Sequence, residues 1–167
     1  QDIAQLARRA QIPVATTLMG IGSLDERDPL ALGLCGLYGT DAANRAIRAA
    51  DVILALGVRF NDRTTGDVRT FARQAKIVHV DCDPSSIDKN VTAHLGIVAD
   101  IKDLLTTVNS RIRPATHATW CASLARPDAR RTRSDAQAID PAAVIRTVAA
   151  LTRGDALVVT DVGQHQI

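Results

Sequence analysis

Val52-Ile53-Leu54-Ala55-Leu56-Gly57-Val58-Arg59-Phe60-Asn61-Asp62-Arg63-Thr64-Thr65-Gly66 joins an unbroken apolar run to a charged, glycine-bracketed exit. Five consecutive apolar residues read as a strand covered on both faces, because a half-solvated strand would alternate. Working outward, Pro13-Val14-Ala15-Thr16-Thr17, Lys76-Ile77-Val78-His79-Val80-Asp81 and Ile97-Val98 read as further strands. Helical patterns fall between them, at residues 2–10, from Thr40-Asp41 through Ala50, and from Asp100 to about Arg111. In the second of these, Ala43, Ala46, Ile47 and Ala50 keep the helical period behind a Thr-Asp cap. Asp83-Pro84 starts a short helical turn. Strands alternating with helices predict an α/β fold with a doubly wound parallel sheet over residues 1–112.

Residues 113–139 turn to Pro, Ala, Thr, Arg and Ser with little periodicity and read as a linker, which Trp120 pins to a surface. Residues 140–167 read as the start of a second α/β domain. Asp140-Pro141 caps a helix through about Leu151, and Ala156-Leu157-Val158-Val159-Thr160 follows as a strand. The chain opens inside a helical pattern and closes just after a strand, which reads as an internal piece of a longer protein.

Composition narrows the function. Among 167 residues, 46% are hydrophobic but only 2% aromatic, so the core is aliphatic and no stacking platform for bases exists. The net charge of +2 is spread among interspersed acids and bases, which argues against a nucleic-acid binder. The one basic run, Arg130-Arg131-Thr132-Arg133, reads as solvated linker. No apolar stretch approaches the roughly 18 residues that would span a membrane. Three widely spaced cysteines, Cys35, Cys82 and Cys121, signal neither disulfides nor zinc and fit reduced thiols in the cytoplasm.

Ligands of doubly wound sheets bind beyond the carboxyl ends of the strands. Four unusual segments fall there: Thr16 to Gly22, Gly57 to Gly66, Asp81-Cys82-Asp83-Pro84 and Ala99-Asp100. A fifth, Gly33 to Thr40, precedes a helix start, where an anion is favoured. Glycines that admit backbone to a pyrophosphate, arginines that neutralise it and carboxylates for ribose or adenine make a dinucleotide cradle. Competing readings stay open: plain turn chemistry for the glycines, helix capping for Asp81 and Asp100, ion pairing with Asp62 for Arg59 and Arg63. His79 reads as core, His94 and His117 as solvent-facing, and Cys35 and Cys82 as volume-filling. No metal site is assigned.

The stretch from Pro13 to Gly66, with "KIVHVDCDPSSIDKN" at 76–90 and the closing "VVTDVGQHQ" at 158–166, resembles the acetohydroxyacid synthase (acetolactate synthase) large catalytic subunits. The R-F-x-D-R-x-T-G phrase at 59–66 is the most specific part of that resemblance. It implies a central FAD-binding domain, flanked by domains that hold thiamine diphosphate and Mg²⁺ at a subunit interface. The implied reaction condenses two 2-ketoacids, in an oligomer of catalytic subunits with a small regulatory subunit. Glyoxylate carboligase, pyruvate oxidase and a non-catalytic nucleotide-binding module are the alternatives.

By that resemblance Thr17, Leu18 and Met19 line the isoalloxazine end of FAD, and Cys35, Gly36, Leu37 and Tyr38 follow the flavin and ribityl chain. Gly57, Val58, Arg59, Asn61, Arg63 and Thr64 hold the ribityl-pyrophosphate region. Asp81, Cys82, Asp100 and Ile101 meet the adenosine half. Val162, Gly163, Gln164 and His165 open the turn that grips thiamine diphosphate. Tyr38 and Asn61 stand where this family usually has His and Asp. The catalytic acid and the Mg²⁺ ligands are expected outside these 167 residues.

Overall fold

The computed structural model describes residues 1–124, 141–153 and 155–159. Two compact units divide the chain, Gln1–Arg126 and Pro127–Ile167. In the first, helix α1 (Asp2–Ala10) leads to strand β1 (Val14–Thr16), and β2 (Ala31–Leu34) to α2 (Asp41–Ala49). Then come β3 (Val52–Leu56), the single turn α3 (Asp62–Thr65), β4 (Lys76–Asp81), β5 (Leu95–Val98), α4 (Ile101–Arg111) and α5 (Ala118–Ser123). The fold is α/β, and every strand pairing is parallel.

The ladder comes in two pieces, β1-β2 and β3-β4-β5. Strand β2 was not legible in the sequence. Ala31-Leu32-Gly33-Leu34 has no β-branched residue, and Gly33 sits at φ 85°. Strand β5 begins two residues earlier than the Ile97-Val98 reading and is not covered on both faces, since Leu95 and Val98 are exposed.

Capping fixes the helix starts. The Thr40 hydroxyl accepts from Ala43 N at 3.1 Å and donates to Leu32 O at 2.6 Å, so one side chain caps α2 and ties it to β2. Asp100 Oδ1 accepts from Lys102 N and Asp103 N at the head of α4. Helices α1 and α4 are joined by Asn109, whose Nδ2 donates to Asp2 O at 3.0 Å and whose carbonyl accepts from Arg9 Nη1.

The segment read as the start of the linker is partly built into this unit. Gln11 Oε1 accepts from Thr116 Oγ1 and His117 N, and half-buried Trp120 packs against the cluster of Leu32, Ala42, Ala43, Ala46 and Leu124. Between β1 and β3 lies an apolar pocket of about 270 Å³, lined in part by side chains of α1 and α2.

In the second unit α6 spans Pro141–Thr152. Residues 155–159 form no strand among the described residues, and Leu157 and Val159 stand almost fully exposed. The expected strand at 156–160 is therefore not seen there: an apolar run becomes a strand only with a partner to pair with.

Candidate cofactor-binding edge

Parallel strands bring their carboxyl ends to a common edge. Beyond β1, Thr17 leads into a single helical turn, Leu18–Gly20, that leaves Leu18 and Met19 exposed. Beyond β2, the loop Cys35-Gly36-Leu37-Tyr38 turns out, with Leu37 and Tyr38 exposed. These two exits are stitched together, since Cys35 N donates to Thr16 O at 2.9 Å.

The second loop also meets the turn that follows β3. Leu37 N donates to Arg63 O at 2.8 Å, and a Cβ on Gly36 would sit 2.1 Å from that same oxygen. Only glycine allows this approach, and at φ 94° only glycine adopts the backbone readily. Asn44, inside α2, clamps Gly36 from the other side: Oδ1 accepts from Gly36 N and Nδ2 donates to Gly36 O, both at 2.9 Å. Nothing in the sequence singled out Asn44, whose spacing of eight from Gly36 belongs to no local motif.

Phe60 explains how the charged phrase is presented. It is 4% exposed, with its ring edge-on to His79 at 5.0 Å and to Phe71 at 5.7 Å. Its backbone holds φ 48°, a conformation that costs an L-residue energy and persists because the ring is packed. With Phe60 sunk, Arg59, Asn61, Asp62 and Arg63 stay at the surface. Asn61 Oδ1 caps α3 by accepting from Thr64 N, and Asp62 Oδ1 accepts from Arg63 N. Among the described residues neither Arg59 nor Arg63 takes part in an ion pair. Arg59 stands near the Asp83 carboxylate without forming a salt bridge, and Arg63 is exposed. The ion-pair reading with Asp62 is set aside.

The β4 and β5 exits form a second group. Gly57 N donates to Val80 O and Ala99 N to Asp81 O, while a Cβ on Gly57 would come 3.0 Å from Ile101 Cδ1. Asp81 is buried, and its Oδ1 accepts from Asp83 N. Asp81 and Asp100 thus do cap turns, yet each uses Oδ1 alone and keeps Oδ2 unpartnered among the described residues. The exposed Asp83 carboxyl is held below its ordinary range, chiefly by its hydrogen bond from Ser85 and then by Arg59 and Lys89 nearby.

Cysteines divide. Cys35 is half-buried, and burial pushes its thiol up, away from reactivity. Cys82 is exposed, so it does not fill core volume as expected. Asp81 takes the inward position at the strand end and Cys82 the outward one. His79 is fully buried, whereas His94, exposed overall, still accepts from Ile77 N through Nδ1. Val58 is half-buried against the Phe60 cluster. Thr17, Cys35, Val58 and Thr64 border the pocket between β1 and β3. Val162, Gly163, Gln164 and His165 lie outside the described residues.

The model of the thiamine pyrophosphate enzyme central domain matches residues 1–108. The chain belongs to the thiamine pyrophosphate enzymes. It carries their central domain, which is the α/β unit described above. Relatives with longer chains agree. Over 99% of its length the chain is 43% identical to a probable acetolactate synthase 2, chloroplastic, of Oryza sativa subsp. japonica, and covers 27% of that protein. It is 52% identical over 63% of its length to a probable acetolactate synthase large subunit of Methanocaldococcus jannaschii, covering 18% of it. Against the acetolactate synthase large subunit of Buchnera aphidicola subsp. Schlechtendalia chinensis it is 38% identical over 99% of its length, covering 31%. This thiamine pyrophosphate enzyme domain thus spans less than a third of those relatives. No helix among its described residues is long and apolar enough to cross a membrane.

Proposed function

We propose that this chain is part of an acetolactate synthase catalytic subunit and that the carboxyl edge of its first unit holds FAD. The observation that carries this reading is the pair of guanidinium groups, Arg59 and Arg63, exposed where β3 leaves the sheet and in no ion pair among the described residues. A pyrophosphate needs such groups, and arginine offers it planar paired donors. The rest of the edge suits the remainder of the molecule. Exposed Leu18, Met19, Leu37 and Tyr38 offer an apolar border to an isoalloxazine, and Oδ2 of Asp81 and of Asp100 can accept from adenosine hydroxyls.

Thiamine diphosphate, when bound, supplies the carbanion stabilisation on which ketoacid condensation depends. The residues described here bind and orient. They pass no electrons, because joining two 2-ketoacids with loss of CO₂ from one of them needs no external oxidant or reductant, and so FAD is structural in this reading. Residues 140–167 begin the thiamine-diphosphate domain, with Val162, Gly163, Gln164 and His165 at the diphosphate. Mg²⁺ and its ligands, the oligomer of catalytic subunits and a small regulatory subunit belong to the longer protein, and a reducing cytoplasm suits its free thiols.

Supplying that longer protein with pyruvate and 2-ketobutyrate, thiamine diphosphate and Mg²⁺ tests the assignment. Acetolactate and acetohydroxybutyrate are expected. Condensation of glyoxylate alone, or oxidation of pyruvate, would move the chain to another branch of the family.

A further inference from the structure

We propose that Asn44 and Asn90 are positioning residues for cofactor binding: from outside the turn that follows β3, they lock the backbone of Arg63 and Arg59 and so preset the two guanidinium groups as a pair. The role presupposes FAD at this edge and explains what keeps its binding groups in place.

Neither arginine side chain is held by an ion pair among the described residues, so the aim of each depends on the backbone that carries it. That backbone needs outside support. Helix α3 has only four residues, and so short a helix leaves carbonyls without a helical partner. Asn61 O and Asp62 O are taken up within the turn, by Thr65 N and Gly66 N. Arg63 O instead accepts from Leu37 N, in the loop after β2, at 2.8 Å. Arg59 O also accepts from far along the chain, at 2.9 Å from Nδ2 of Asn90, which lies 31 residues on in the β4–β5 connection. Each arginine is thus held at its own carbonyl by a donor from a different loop.

Asn44 acts through one peptide unit. Gly36 O and Leu37 N belong to the same amide plane; Asn44 Nδ2 donates to the oxygen at 2.9 Å, while the N–H donates to Arg63 O. A hydrogen bond at one end of an amide polarises the other end, so the two bonds strengthen each other. Asn44 Oδ1 accepts from Gly36 N, which engages both polar atoms of this half-buried side chain with one residue. Asn44 therefore positions rather than binds.

Asn90 acts on the left-handed step. The Arg59 carbonyl and Phe60 N share a peptide, and Phe60 holds φ 48°. Burial of the ring fixes one side of that torsion and Asn90 fixes the other, so a rotation that swings Arg59 away must break one of the two. The Asn90 loop is itself braced, since Asp88 Oδ1 accepts from Ala93 N at 2.7 Å. Donors fixed at folding bind a pyrophosphate more tightly than donors that must be ordered on binding.

Equilibrium FAD binding to the flavin-stripped full-length protein tests this in two double-mutant cycles. Asn90→Ala is expected to raise the FAD dissociation constant about three- to tenfold with Arg59 present, and less than about twofold in an Arg59→Ala background. Asn44→Ala is expected to depend on Arg63 in the same way. An asparagine with a merely structural role would weaken FAD equally with and without its arginine, and that result would overturn the proposal while leaving the cofactor assignment in place. An Asn90→Ala protein that binds FAD as tightly as the parent would do the same. Asn90 is exposed, so its cycle is expected to be readable even where Asn44→Ala fails to fold. Absence of FAD binding by the parent would overturn the proposal and the FAD reading together.

Discussion

Arg59 and Phe60 are neighbours with opposite tasks, one free in solvent and one sunk in the core. Losing a charge-assisted contact costs about 1.5–3 kcal/mol, so Arg59→Ala in the longer protein is expected to weaken FAD by roughly ten- to a hundredfold. Arg113→Ala, away from the strand exits, should leave the FAD dissociation constant unchanged; equal losses would remove Arg59 from the site. Phe60→Ala would cost about 3–5 kcal/mol through the cavity it leaves. Gly36→Ala is the sharper probe of the loop, because its Cβ meets backbone rather than a movable side chain. It is expected to lower stability by about 2 kcal/mol or more and to release flavin at a lower temperature. An unaltered melting curve would show that the loop can swing away without cost.

Titration offers a further check at this scale. Asp25 is lowered from 3.8 to about 2, first by its side-chain hydrogen bond from Arg27. A depressed carboxylate stabilises the fold above its unfolded value, and that support fades as pH falls from 3.8 toward about 2. Asp67, paired with Arg69, shifts the same way. Both are exposed, so the effect is small. Carboxyl NMR titration of Asp25 should show the low midpoint, and Arg27→Ala should return it toward 3.8.

At the scale of elements, legibility followed chemistry. Strand β3 announced itself as an unbroken apolar run and β4 as an apolar run interrupted by His79, and α2 and α4 by Thr40 and Asp100 at their starts. β2 did not, because glycine and alanine carry no strand signature and its pairing with β1 is decided by tertiary context. The edge itself was legible from glycines and charges at strand exits. What holds its loops was not. The Asn44 clamp on Gly36 and the approach of Leu37 to Arg63 join residues whose sequence separation follows no period. Thr40→Ala, which removes both the α2 cap and the tie to Leu32, is expected to cost about 1 kcal/mol in unfolding free energy. A loss within experimental error in denaturant titrations would mean that water replaces the hydroxyl.

For the molecule as a whole, the chain carries the central domain of a thiamine pyrophosphate enzyme. A diphosphate needs a divalent cation, and a cation needs fixed oxygen ligands. No group of three or more His, Cys, Asp or Glu among the described residues is placed to hold one. Calorimetric titration of the 167-residue chain with thiamine diphosphate and Mg²⁺ is accordingly expected to show no saturable micromolar binding. Saturable binding would put the diphosphate site inside this chain.

The most direct test of the central claim is the flavin content of the purified longer protein, measured by heat release and absorbance. Binding at the Arg59–Arg63 edge predicts noncovalent FAD, equimolar with the chain and held more weakly on Arg59→Ala. A fully active enzyme that contains no flavin would contradict it.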